Sequence, residues 1–228
     1  MLDPRTISVV AWDLDNTLFD RDAAVRRFFR WYLTSLGRDT QEPGGTDLLG
    51  AIMALDQGGD GDRSTFCREV CELCGQAPEA APALWAAWQA KLPEFIWFEH
   101  KALASLFWLR SHFRHALVSN GGSALQRAKL RRAGVRHHFA AGDIFISGEV
   151  GFEKPDARMF GAALRALGKR PEQVLHVGDH PTNDIAGATA VGMRTCWVSR
   201  GRTPPSDLHA DMVVEHPGKV AALLLPRR

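Results

Sequence analysis

The chain of 228 residues carries 28 basic and 26 acidic side chains, a net charge of +2, and this near balance argues against a general nucleic-acid surface, which would be strongly basic. Its hydrophobic content of 45% is ample for one large domain or two small ones, and no apolar run approaches the roughly 20 residues that span a bilayer. The four cysteines give no extracellular disulfide framework, and the stretch from Met1 to Arg5 has no signal-peptide pattern. A soluble cytoplasmic protein with no nucleic-acid polymer and no membrane as partner is expected.

Ile7, Val9, Val10 and Trp12 form a short apolar, β-branched run that predicts a strand buried on both faces. The run stops at Asp13, and a second acid follows at Asp15. Two acids beside a core strand are costly unless paired, hydrogen-bonded or bound to a cation. A plain strand-end turn is the alternative, since Asp and Asn favour turns. Helical spacing then follows. Val25, Phe28, Phe29, Tyr32 and Leu36 predict a helix over 20–36, with Gly37 as its stop. Residues 38–47 read as a polar connection, and Leu48, Leu49, Ile52, Met53 and Leu55 suggest a second helix. A turn-rich break at 57–62 precedes a third helix, capped by Ser64 and ending at Leu73; a fourth covers 78–92. No strand pattern appears between 20 and 95.

From residue 100 the pattern alternates. Helices are predicted over 100–112, 123–133, 156–167 (Asp156 as N-cap) and 184–191, and strands over 115–119, 143–147, 174–177 and 195–198, with a sixth at 212–214. Strands alternating with helices mean βαβ units and a parallel sheet. The expected fold class is therefore α/β: a Rossmann-like parallel sheet core, residues 1–18 and 100–228, with an all-helical domain, residues 19–99, inserted after the first strand. In such sheets the active site lies beyond the carboxyl ends of the strands. Those ends deliver Asp13 and Asp15; Ser119, Asn120, Gly121 and Gly122; Lys154; and Gly178, Asp179 and Asp184.

Taken in order, Asp13 to Thr17, Ser119 to Gly121, Lys154 with Pro155, and Gly178 to Asp184 resemble the four motifs of the haloacid dehalogenase (HAD) superfamily. The helical block resembles the cap domain of its C1-capped phosphatases. The resemblance covers nearly the whole chain. It implies a hydrolase of a small phosphorylated metabolite, a nucleotide or sugar phosphate among the candidates, acting through an aspartyl-phosphate on Asp13. It also implies Mg²⁺ as cofactor, with Asp13, the Asp15 carbonyl, Asp179 and Asp184 as its ligand set, Asp184 either directly or from behind. Hard carboxylate oxygens suit that ion, and a divalent cation offsets the repulsion between an anionic nucleophile and a phosphate monoester. The Asp15 side chain is then left to protonate the leaving oxygen and later to take a proton from water. An acid in that role needs surroundings that keep it protonated. Ser119 offers a hydroxyl, and the turn at Asn120 and Gly121 offers backbone N–H groups to phosphate. Lys154 adds a point charge. Each has a plainer alternative: a strand-to-helix turn at 119–121, a solvated lysine at 154, a helix N-terminal acid at 184.

Other signals read as structural. Cys67, Cys71 and Cys74 share a helix face with no partnered second pair, so packed thiols are expected rather than a metal site. Arg127, Arg131, Arg132 and Arg136 fit a solvated helix face. Trp85, Trp88, Trp97 and Trp108 are expected in the core or at a domain seam. The segments 19–21 and 57–61 are candidates for hinge and lid. His180 is assigned no role. Two other functions compete. A 2-haloacid dehalogenase attacks carbon and needs no leaving-group acid, which Asp15 argues against. A non-catalytic binding module would be expected to lack one of Asp13, Asp15, Lys154 or Asp179, and all four are present. The chain is expected to be a monomer or homodimer.

Overall fold

Val9–Trp12 forms β1, the centre of the sheet, and all four of its residues are buried. The computed structural model describes residues 3–38 and 40–225. Met1, Leu2, Asp39 and residues 226–228, which belong to the terminal and connecting stretches read above, lie outside the described residues. The chain divides into two compact units, Met1–Asp20 with Phe98–Arg228, and Arg21–Trp97.

After β1 the helical unit supplies α1 (Arg21–Ser35), α2 (Pro43–Asp56), α3 (Arg63–Leu73) and α4 (Ala81–Lys91). The chain then runs through α5 (His100–Leu109), β2 (Arg114–Ser119), α6 (Ser123–Arg132), β3 (Ile144–Ile146), a single-turn α7 (Ser147–Val150), α8 (Ala157–Leu167), β4 (Val174–Gly178), a short α9 (Gly187–Ala190), β5 (Arg194–Val198), β6 (Met212–Val214) and α10 (Val220–Leu224). All six strands are parallel, in the order β3-β2-β1-β4-β5-β6. A parallel sheet needs both faces covered, and β1, β2, β4 and β5 are buried along almost their whole length. One face packs Val9, Ala11, Ala116 and Val118 against Met159, Phe160 and Ala163 of α8. The strand order reverses at β1, between β2 and β4, and that reversal opens a crevice at the carboxyl ends.

The helical unit is built on an aromatic cluster. Phe28 and Phe29 of α1 meet Trp88 at 5.2 and 5.5 Å between ring centroids, and Phe66 lies 5.9 Å from Phe29. Beside the cluster a buried ion pair joins Arg21 Nη1 to Asp56 Oδ2 at 2.5 Å, and Arg63 Nη1 reaches Asp56 Oδ1 at 2.9 Å. Burial alone would push the Asp56 carboxyl up, but the two guanidiniums hold it below the usual carboxylate range. Arg21 is therefore spent inside this unit, where the sequence suggested a hinge loop. Gly59, from the proposed lid segment, backs directly onto its guanidinium.

Several predicted boundaries move for local reasons. Helix α2 begins at Pro43 rather than near Leu48, because proline is well tolerated at a first helical position. Asp62, not Ser64, caps α3, its carboxylate accepting from Thr65 N at 2.8 Å. The helix expected at 184–191 is a π-turn over Pro181–Ala186 followed by α9. Trp97 and Trp108 are exposed rather than core, the former covered by the Arg27 guanidinium 3.9 Å from its ring. Cys67, Cys71 and Cys74 are buried free thiols; burial pushes Cys67 up to about 11, so packing is their role. No helix among the described residues is long and apolar enough to cross a membrane.

His115, on β2, is buried beside Trp12 and Phe139, and neither ring nitrogen has a hydrogen-bond partner. Burial, with His138 nearby, pushes it down to about 4. The unfolded chain therefore takes up a proton between pH 6.5 and 4 that the folded chain does not. The stability tied to this neutral ring is complete above that window and falls through it as pH drops. At pH 5 the loss from this group is expected to be about 2 kcal/mol. Melting curves from pH 7 to 5 should show a steeper fall in wild type than in His115→Leu; parallel falls would contradict the assignment.

Candidate active site

Asp13 follows β1 directly, and its N–H continues the sheet by donating to Val177 O at 2.9 Å. Trp12 pairs with Val177 in register, so Asp13, one residue beyond Trp12, and Asp179, two beyond Val177, both emerge at the reversal of strand order. Asp184 reaches the same place from the π-turn, a distortion frequent at functional sites. Carboxylate oxygens of Asp13, Asp179 and Asp184 all lie within 4.8 Å of one another, the one such acidic group among the described residues. Gly178 is required for this approach, since a Cβ there would stand 2.2 Å from Asp184 Cγ.

Lys154 enters from the loop before α8. Its Nζ lies 2.6 Å from Asp13 Oδ1 and 2.6 Å from Asp184 Oδ1. Burial works against its charge, but Asp13 and Asp184 hold the ammonium protonated well above the ordinary lysine range. Asp184 also accepts from His180 N at 2.9 Å and from His176 Nε2 at 3.0 Å. Burial would raise this carboxyl; Lys154 and His176 instead bring it far below the usual range. The two other acids go the opposite way. Burial pushes Asp13 up to about 8, with Asp184 and Asp179 adding to the rise and Lys154 opposing it. Burial, then Asp184, pushes Asp179 up to about 7 against the pull of Arg202.

The cluster thus holds three acids against one buried ammonium and one part-exposed guanidinium. All the donors are hard oxygens. A small divalent cation fits that set, supplying the charge that the surroundings lack.

The remaining predicted residues divide. Ser119 Oγ is buried and accepts from Gln126 Nε2 at 2.7 Å, which leaves its own hydrogen to donate. The Asn120 side chain donates to Lys154 O at 2.9 Å and accepts from Lys154 N at 2.8 Å, holding the lysine loop in place. The Gly121 N–H, expected to face phosphate, donates to Ser147 Oγ at 2.9 Å; at φ +128° the turn aims it at the loop after β3. The Asp15 side chain is not among the clustered acids. Its two oxygens each lie 2.8 Å from Lys129 Nζ, and Oδ2 accepts from Gln126 Nε2 at 2.9 Å. These contacts favour a carboxylate, whereas the role implied by the resemblance calls for surroundings that keep the acid protonated. His180 caps the π-turn, its Nδ1 accepting from Asn183 N at 3.0 Å.

A family model for haloacid dehalogenase-like hydrolases matches residues 7–192. The chain belongs to that family. Among its curated relatives it is 40% identical over 142 residues to phosphoserine phosphatase of Thermus thermophilus, covering 62% of this chain and 56% of that one. It is 30% identical over 206 residues to ribulose-1,5-bisphosphate 5-phosphatase of Halopiger xanaduensis, covering 82% and 83%. The chain spans about half the length of several of the curated relatives that it matches. The magnesium-bound crystal structure of YfnB from Bacillus subtilis superposes with a TM-score of 0.81 at 23% identity, covering 96% and 98%.

Four residues that contact these acids or the loop after Asp15 carry no motif in the sequence. Arg202 Nη2 lies 2.9 Å from Asp179 Oδ2 and 2.7 Å from Asp179 O. Arg200 donates to the carbonyls of Asn16 and Thr17 and pairs with Glu99 at 2.7 Å, pinning the loop after Asp15. Nothing local in the sequence marks either arginine. Gln126 and Lys129 did leave a trace: with Leu130 and Ala133 they sit at i, i+3, i+4 and i+7, the core stripe of a helix. Removing the Lys154 ammonium leaves Asp13 and Asp184 buried without it. Lys154→Met should therefore cost about 3 kcal/mol in urea unfolding under metal-free conditions; a cost below about 1 kcal/mol, the range of exposed pairs, would contradict the buried network.

Proposed function

We propose that this family member is a Mg²⁺-dependent phosphomonoesterase acting on a small phosphorylated metabolite. The observation that carries the reading is the convergence of Asp13, Asp179 and Asp184 within 4.8 Å, with Lys154 bridging Asp13 and Asp184. The phosphatase names of two relatives, on phosphoserine and on ribulose-1,5-bisphosphate, support the substrate class. The magnesium in the YfnB crystal supports the cofactor.

Asp13, Asp179 and Asp184 would hold the ion. Mg²⁺ there supplies positive charge to the phosphoryl oxygens and the carboxylates together. In the proposed reaction an Asp13 carboxylate oxygen attacks phosphorus. A bond forms between that oxygen and phosphorus, and the bond from phosphorus to the leaving oxygen breaks. Asp15 gives the leaving oxygen a proton, one that it takes up against the pull of the Lys129 ammonium toward its carboxylate form. It then takes a proton from the water that attacks the aspartyl-phosphate, which restores Asp13 and releases phosphate. The Lys154 ammonium favours the Asp13 carboxylate against the burial that would neutralise it, a task the bound cation would share, and stabilises negative charge on the phosphoryl group. The Ser119 hydroxyl donates to a phosphoryl oxygen. The helical unit Arg21–Trp97 is read as the cap domain that selects the substrate.

The dehalogenase alternative has no use for Asp15 as an acid, and here Lys129 and Gln126 both engage its carboxylate. Wild-type protein should hydrolyse an aryl phosphate when Mg²⁺ is added and stop when it is chelated. Asp13→Asn should lower kcat by about a thousandfold or more. Full activity without Mg²⁺ or in Asp13→Asn, or halide release from a 2-haloacid in place of phosphate release, would overturn the reading.

A further inference from the structure

The face that α6 turns inward carries Gln126, Lys129, Leu130 and Ala133, all buried. Leu130 and Ala133 are ordinary core residues. An amide and an ammonium on the same stripe are not, because burying either is costly without partners. Both find partners at Asp15, which belongs to a different element 111 and 114 residues away in sequence. Lys129 Nζ stands 2.8 Å from each carboxylate oxygen. Gln126 Nε2 stands 2.9 Å from Oδ2, 2.7 Å from Ser119 Oγ and 2.9 Å from Asn120 O, so three acceptors share two amide hydrogens.

The loop that carries Asp15 fixes its backbone: Asn16 adopts φ +56° and Arg200 holds the carbonyls of Asn16 and Thr17. That leaves the side-chain torsions of Asp15 to be set by something else. Two donors one helical turn apart on a rigid helix set them, because both oxygens of the carboxylate are engaged at once. The side chain of Lys129 also lies in the last turn of α6, where the helix carbonyls favour a cation.

We infer that Gln126 and Lys129 are positioning residues for Asp15, holding its carboxyl where proton transfer to the leaving oxygen occurs. The inference rests on the phosphatase reading above. Neither residue is assigned a contact with the phosphoryl group; each acts through Asp15. Proton transfer to the leaving oxygen matters most when that oxygen is basic and little when the leaving group is an activated aryloxide. A misplaced Asp15 therefore penalises phenyl phosphate far more than dinitrophenyl phosphate.

The test compares kcat/KM for these two esters, with Mg²⁺, in wild type, Lys129→Met and Gln126→Leu, each checked for a wild-type thermal melt. The ratio of dinitrophenyl to phenyl phosphate should rise about tenfold in either variant. In an Asp15→Asn background, adding Lys129→Met should change phenyl phosphate hydrolysis by less than about twofold, since coupled residues do not add. Gln126→Leu carries the test if Lys129→Met fails to fold. Equal losses on both esters, or additive losses in the Asp15→Asn background, would overturn the positioning role while leaving the phosphatase reading intact. Hydrolysis of neither ester by the wild-type chain would overturn that reading and this inference with it.

Discussion

Charge compensation in a buried place governs this structure. Asp13, Asp179 and Asp184 are each buried, and their carboxylates crowd one point. Isolated, such charges would cost more than a domain of this size can tolerate. Lys154 meets two of the three acids and Arg202 the third. The imbalance that remains shows in the acids themselves: Asp184, with the ammonium and His176 beside it, stays ionised, whereas burial drives Asp13 and Asp179 toward their neutral forms. A group of acids left short of positive charge suits a site that receives a cation and then a phosphoryl group.

The sheet makes this crowding possible. Parallel strands deliver their carboxyl ends to one edge, and the reversal of order at β1 leaves room there. Register then sets β1 and β4 level, so the residues after them meet. The loops between elements are spent on holding one another. Asn120 grips the backbone of Lys154, Ser147 grips Gly121, and Trp197 Nε1 donates to Asp179 O at 2.8 Å. The acid-bearing turn after β1 is tied down from two sides, by Arg200 on its backbone and by α6 on the Asp15 carboxylate. Strand ends deliver the clustered acids, and residues remote in sequence hold them in place.

The parallel α/β order was legible because period and punctuation were clean: apolar β-branched runs, helical stripes and glycine stops. The clustered acids were legible because an acid at the end of a buried strand has few uses. Other features were not, for identifiable reasons. The π-turn at 181–186 carries no mark in its own residues that separates it from an ordinary helical turn. Trp97 and Trp108 read as core or domain-seam residues by composition, yet both are exposed, and single exposed aromatics are common on protein surfaces. Arg200 and Arg202 follow β5 in a stretch with no motif, and their targets are known only once β4 and β5 are paired. Gln126 and Lys129 were visible as polar residues on an apolar stripe, but a stripe does not say what lies opposite it.

On the proposed function, acids from distant parts of the chain share one divalent ion. Calorimetric titration of Mg²⁺ into metal-free protein tests it most directly, with wild type beside a folded Asp179→Asn variant. Wild type should take up one ion per chain saturably, and the variant should lose that uptake. Absence of uptake by folded wild type, or uptake unchanged by Asp179→Asn, would contradict it.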